Sequence, residues 1–266
     1  MLMAKSLVLN FTLACGLVLQ FGCASPRGSS TRVVTQASTY DALYHALYNG
    51  VVQLREMAPH GDLGLGALDG FNGEIILLDG KFYSIFGDGR VAPITDLRAK
   101  AVFFELTRFH GDVRHELPAG TSIARMQQSP LDFLPTKNII YAVKIEGVFQ
   151  HVKTRSMFKQ AKPYVSLTEL AKTQPTFEFN NVRGTMVGFW SPPSMKGVAL
   201  AGWHLHFLTA DRQGGGHVLE FTTQDAIMKA DECREFHWLI PNSDDFRHTD
   251  FTTPWKQTKT AEEKIC

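Results

Sequence analysis

Cysteine is scarce in this chain of 266 residues, and its four examples, at positions 15, 23, 233 and 266, stand too far apart for a zinc motif or a disulfide scaffold. Charge of one sign is lacking too. A formal net charge of +1, with no basic run in the body of the chain, leaves no electrostatic footprint for nucleic acid and argues against such a partner. The apolar stretch from Leu7 to Leu19 is short and broken by Asn10, too little for a comfortable membrane span. No repeat, low-complexity tract or heptad is present, which removes solenoids and coiled coils. What remains, 44% hydrophobic and 20% charged, is ordinary globular composition with enough apolar residues for a sizeable core.

Lys5 ahead of that short apolar stretch reads as an export signal, taken as residues 1–22. The run Leu19-Gln20-Phe21-Gly22-Cys23 resembles a bacterial lipoprotein processing site, with Gln20 where an aliphatic residue is usual. The expectation is an exported protein, periplasmic or held at a membrane by a lipid on Cys23, and otherwise secreted. Residues 23–36, which include the small polar run Pro26 to Thr31, read as a tether, with folding starting near residue 35. Cys233 is expected as a buried free thiol; its pairing with Cys266 cannot be deduced from sequence.

Tyr40 to Met57 has a mostly helical apolar spacing broken by Gly50, which predicts two short helices. From Gly64 to Phe109 the pattern changes to short strands, and Asp79-Gly80 between two of them is a hairpin signal. Thr121 to Phe133 and Leu167 to Gln174 read as helical. Ile139 to Val148 reads as a strand ended by Gly147, and strand character resumes at Phe177 to Phe179, Gly184 to Trp190, Val198 to Thr209 and His217 to Thr223. With no βαβ alternation, the class is α+β, a mixed and mostly antiparallel sheet with a few short helices. Two strand-rich subdomains are expected, 37–160 and 161–266.

His204-Leu205-His206, followed by Gly214-Gly215-Gly216-His217, carries the most chemical information. A strand repeats every two residues, so His204 and His206 share a face. A hairpin centred near Asp211 and Arg212 would set His217 opposite His206, and the glycines allow close backbone approach or φ > 0. Three imidazoles on one ion leave a coordination position open; packed or surface histidines are the alternative. Imidazoles suit zinc, iron, manganese or copper, with zinc the default for a Lewis acid that needs no redox partner. Arg183, ahead of an apolar strand, suits capture of a carboxylate, or a pairing with Glu178 at a sheet edge. Glu74 enters an apolar strand after Gly73, where a carboxyl either acquires a raised pKa and acid–base capacity or remains in water.

Taken together, the segments resemble the α-acetolactate decarboxylase family. They are His60-Gly61-Asp62-Leu63-Gly64-Leu65-Gly66, Asn72-Gly73-Glu74, Ile145 to His151 with Thr154-Arg155, Arg183 to Phe189, and Ala201 to Phe207 running into Asp211 to His217. The resemblance implies conversion of 2-acetolactate to acetoin and CO2, a zinc ion on His204, His206 and His217, and a homodimer. The family's arginine and strand-entry glutamate carry onto Arg183 and Glu74, and its C-terminal glutamate onto Glu262 or Glu263. Leu205 departs from the family, which commonly has a glutamate there. Two rivals are a cupin-like oxygenase, whose carboxylate ligand would have to be Asp211, and a non-catalytic metal- or ligand-binding lipoprotein.

Overall fold

The computed structural model describes residues 32–252. The expected leader, Cys23, Glu262 and Glu263 lie outside the described residues. Twelve strands form one sheet. In chain order they are β1 (Arg32–Ala37), β2 (Val52–Gln53), β3 (Leu63–Leu68), β4 (Glu74–Leu78), β5 (Lys81–Ile85), β6 (Val91–Pro93), β7 (Lys100–Thr107), β8 (Val113–Leu117), β9 (Ile140–Arg155), β10 (Thr176–Ser191), β11 (Gly202–Thr209) and β12 (Gly215–Leu239). Five short helices accompany them: α1 (Tyr40–Tyr44), α2 (Leu54–Met57), α3 (Ile123–Gln128), α4 (Leu167–Leu170) and α5 (Asp244–His248). Among the described residues no helix is long and apolar enough to cross a membrane.

Hydrogen bonding runs β11-β10-β9-β12-β1-β7-β3-β4-β5-β6, with β2 on β7 and β8 on β12. A further pairing of β11 with β12 closes a ring of β9, β10, β11 and β12. The β1–β12 pair is parallel, and the other strand pairs are antiparallel. This is the α+β, mostly antiparallel class that the strand pattern predicts. The expected subdomain boundary near residue 160 falls in the connection between β9 and β10, which are hydrogen-bonded neighbours.

Alternation along the strands decides what faces what. On β4, Ile75 and Leu77 join an apolar cluster with Leu54, Met57, Phe104 and Leu106, while Ile76 and Leu78 join a second with Leu65, Ala67 and Phe103. That second cluster also takes Ala142, Val187, Phe189 and Leu208 from the ring, so it is the layer in which the two parts of the sheet meet. The ring has its own cluster, with Tyr141, Phe149, Met186, Leu205 and Phe207. Each Val, Leu, Ile, Phe or Met among them contributes roughly 1.5–3 kcal/mol when fully buried.

Several boundaries differ from the sequence pattern for identifiable reasons. β1 begins at Arg32, so the last part of the expected tether is a strand, paired with both β7 and β12. The Asp79-Gly80 hairpin forms as expected, with φ of 50° and 75°. Gly147 does not end its strand: β9 continues to Arg155, and a Cβ at 147 would overlap the Asp225 carbonyl on β12. That glycine serves the close approach of two strands rather than a turn. Likewise the short runs at 177–179 and 184–190 are one strand of 16 residues.

Candidate metal centre

The hairpin places His206 opposite His217 in the β11–β12 register, with Arg212 at φ 61° in the turn between them. On its other side His217 pairs with Arg155 of β9. One row across three strands therefore carries His206, His217 and Arg155, and His204 stands two residues from His206 on the same face. Gly216, at φ 134°, lets the chain approach so closely that a Cβ there would overlap the Arg155 carbonyl. The glycine run thus supplies both close approach and a positive φ.

All three rings are buried and mutually close, with centroids 5.1–5.3 Å apart. One ring nitrogen from each lies within 4.8 Å of the others. His206 Nδ1 donates to the Ile75 carbonyl at 3.0 Å, which leaves Nε2 as a lone pair facing His217 Nδ1 at 3.3 Å. Two imidazole nitrogens on a tetrahedral ion at about 2.0–2.1 Å stand about 3.3–3.4 Å apart, so this spacing fits a shared cation. The protonation state fits as well. Burial, followed by the charges of His204 and Arg155, holds His206 well below the ordinary imidazole range, and burial with Arg155 and the other two histidines does the same for His217. Neutral imidazole is the form that binds metal.

Glu74 and Arg155 complete the site. Glu74, at the start of β4 and 3% exposed, has Oε2 3.5 Å from His206 Nε2. Its Oε1 is 4.0 Å from Nη1 of Arg155, itself 2% exposed. Strand-entry Glu74 is therefore a buried carboxyl in the cavity, not a strand-end residue left in water. These groups line one small cavity, walled by Tyr40, Leu43, Phe71, Phe103 and Leu167. From β7, Glu105 sends Oε1 to within 3.1 Å of His204 Nδ1, and burial pushes its pKa up to about 8.

Arg183 is not brought into this site. It is exposed, just beyond Gly184↔Thr209, the last β10–β11 pair, and its carbonyl accepts from Ala210 N at the hairpin turn. Val187, which stands opposite His206, is four residues further along β10, about 13 Å at strand spacing. Nor does Arg183 make the alternative pairing, since Glu178 lies against His151 and Lys153. The arginine that the fold delivers is Arg155, which stands among the family-like segments but gains no role from the sequence pattern, because Gly147 reads locally as a strand end. Glu105 was missed too, and nothing in its local sequence points to a histidine 99 positions away.

Asp211 does not offer the carboxylate of a cupin-like site: it is exposed and accepts from Thr209 Oγ1 at 2.6 Å and Gln213 N at 3.0 Å within the turn. Leu205 faces away from the histidines into the ring cluster with Phe149 and Phe207. Its departure from the family pattern leaves the three nitrogen donors in place.

A family model described as alpha-acetolactate decarboxylase matches residues 34–253. The alpha-acetolactate decarboxylase of Bacillus licheniformis is 35% identical over 218 residues, which cover 82% of this chain and 86% of that protein. The alpha-acetolactate decarboxylase of Methanosarcina mazei is 39% identical over 219 residues, covering 82% and 75%. The X-ray structure of alpha-acetolactate decarboxylase from Bacillus subtilis strain 168 matches with a TM-score of 0.80 at 35% identity, over 84% of this chain and 94% of that one. By sequence and by fold, the chain belongs to the alpha-acetolactate decarboxylase family.

Proposed function

We propose that this protein decarboxylates 2-acetolactate to acetoin and CO2 at the three-histidine centre, with zinc as its resident ion. The observation that carries the reading is the convergence of three buried imidazoles, a carboxyl and a guanidinium on one cavity. His204, His206 and His217 would hold the ion, which when bound supplies Lewis-acid stabilisation of the negative charge that develops on the ketone oxygen. Zinc is favoured because three nitrogen donors suit it and loss of CO2 needs no redox change.

The other steps fall to side chains of the chain. Arg155 presents a planar fork of donors to the substrate carboxylate and holds it until the carbon–carbon bond breaks. CO2 leaves without its bonding electrons, which remain as an enediolate. Glu74 then delivers one proton to the carbon that lost CO2, and its fixed place on β4 selects the face that receives it. Glu262 or Glu263 is a further proton donor on the strength of the resemblance alone. Phe71, Phe103, Leu43 and Leu167 limit water around the enediolate.

Export, with lipid on Cys23 as its anchored form, is supported by the charged and apolar leader and by the resemblance around Gly22-Cys23. A homodimer is supported by the family resemblance. The activity is tested by following acetoin and CO2 from 2-acetolactate, with the protein metal-loaded or stripped by chelator. Turnover should vanish on stripping and return with zinc. Full activity in demonstrably metal-free protein would overturn the proposal, and stoichiometric metal with no turnover of any 2-hydroxy-3-keto acid would establish the binding-protein rival.

A further inference from the structure

The three ring nitrogens come from β11 and β12, whereas the groups that receive the back of two of the rings come from the other part of the sheet. For His206 the acceptor is the Ile75 carbonyl on β4, a backbone atom that any side chain at 75 would leave in place. For His204 it is a side chain, Glu105 on β7. Residue 105 is 2% exposed and follows Phe103 and Phe104, whose side chains belong to the two adjoining apolar clusters. Strand alternation turns position 105 toward the cluster that contains Phe103, Leu65 and Ala67, a place that an apolar residue would ordinarily fill. A carboxyl buried there is costly without a polar partner. The partner is His204 Nδ1, at 3.1 Å.

We infer that Glu105 is a positioning residue, fixing His204 as an Nε2 donor toward the ion. The inference rests on the metal reading above. An acceptor at the back of the ring fixes the proton on Nδ1, leaves the Nε2 lone pair directed at the site, and stops the ring rotating about χ2. Nothing in the decarboxylation itself calls on Glu105, which does not line the cavity.

The test is metal affinity rather than turnover. The full chain and its Glu105→Leu and Glu105→Gln variants are stripped, and the zinc dissociation constant is measured by competition with a chromophoric chelator. Glu105→Leu should bind zinc about 10- to 100-fold more weakly, the range for loss of an outer acceptor to a ligating histidine. Glu105→Gln retains an oxygen that accepts from Nδ1 and should recover most of that loss. Wild-type protein that binds no zinc would defeat the metal reading itself. Wild-type protein that binds zinc while Glu105→Leu binds it equally well would defeat only the role of Glu105. So would a lower thermal midpoint in both metal-free variants with zinc affinity unmoved, because that pattern is purely structural. If Glu105→Leu does not fold, long-range ¹⁵N–¹H spectra of the zinc-loaded wild type decide. A His204 proton on Nδ1 supports the assignment; a proton on Nε2 overturns it.

Discussion

Replacing Arg155 with alanine should abolish most turnover, and the same change at Arg183 should leave it nearly intact. Arg155 is 2% exposed and lies 4.0 Å from Glu74, whereas Arg183 is exposed at the hairpin end of β10. A hydrogen bond to a charged group contributes about 1.5–3 kcal/mol, so a two-pronged grip on the substrate carboxylate contributes about 3–6 kcal/mol. At 1.36 kcal/mol per decade, kcat/KM should fall about 10²- to 10⁴-fold in Arg155→Ala. Arg155→Lys keeps the charge but loses the planar fork, and should fall between the two. Arg183→Ala is a surface change that should shift folding stability by about 0.5 kcal/mol at most and leave kcat/KM nearly unchanged. Acetoin formation gives the rates, and zinc content measured beside it should be unchanged in all three variants because neither arginine is a ligand. Removing Arg155 also leaves Glu74 without its neighbouring cation, so urea unfolding is measured in parallel to separate lost folding from lost chemistry. A 10²-fold loss in Arg183→Ala, with Arg155→Ala still turning over normally, would refute the placement and restore the expectation from sequence.

His206→Ala should remove stoichiometric zinc, as read by metal analysis of the purified protein, since it deletes the nitrogen that faces His217 at 3.3 Å. Gly216→Ala should weaken zinc binding at least tenfold without touching a ligand, because the new Cβ overlaps the Arg155 carbonyl and its residue must adopt φ 134°; chelator competition measures it. Asp231→Ala should lower stability by on the order of 3 kcal/mol or more in urea while sparing kcat, since the buried Asp231 carboxylate receives the N–H groups of His110, Gly111 and Asp112 at 2.6–2.8 Å. Burial raises the Cys233 thiol to about 12, so at pH 8 it should resist iodoacetamide in the native protein and react after unfolding, as read by mass spectrometry of its peptide.

How much of this site is legible in the sequence depends on how far apart its parts lie. The β11–β12 hairpin is local: a period of two and a glycine-rich turn suffice to put His206 opposite His217 and to face His204 the same way. At Glu74 a glycine and an apolar strand announce the strand entry, but they leave open whether the carboxyl is buried or in water, and only the resemblance assigns it to the site. Arg155 is a different case. It is brought to His217 by the register of β9 against β12, and that register survives Gly147 because the glycine permits two backbones to touch. A glycine that ends a strand and one that lets strands meet have the same local sequence, so the pattern stops at Val148, and Arg155 beyond it enters only as part of a family-like segment with no role attached.

Glu105 and Leu205 make the complementary point. Each lies on a strand that separates two layers, and each takes its meaning from the layer it faces rather than from its neighbours in the chain. Between Phe104 and Leu106, which face the outer cluster, Glu105 turns inward to His204. Leu205, between two histidines, turns away from them to Phe149 and Phe207. A carboxylate one position from a ligand is thus poorly placed to serve it along a strand, whereas one 99 positions away on a facing strand is well placed. The three histidines stand on strands of the ring, and two of them are oriented by β4 and β7, so the donor set depends on the meeting of the two parts of the sheet. For that reason a substitution in β7 is expected to alter zinc affinity although all three nitrogen donors lie on β11 and β12.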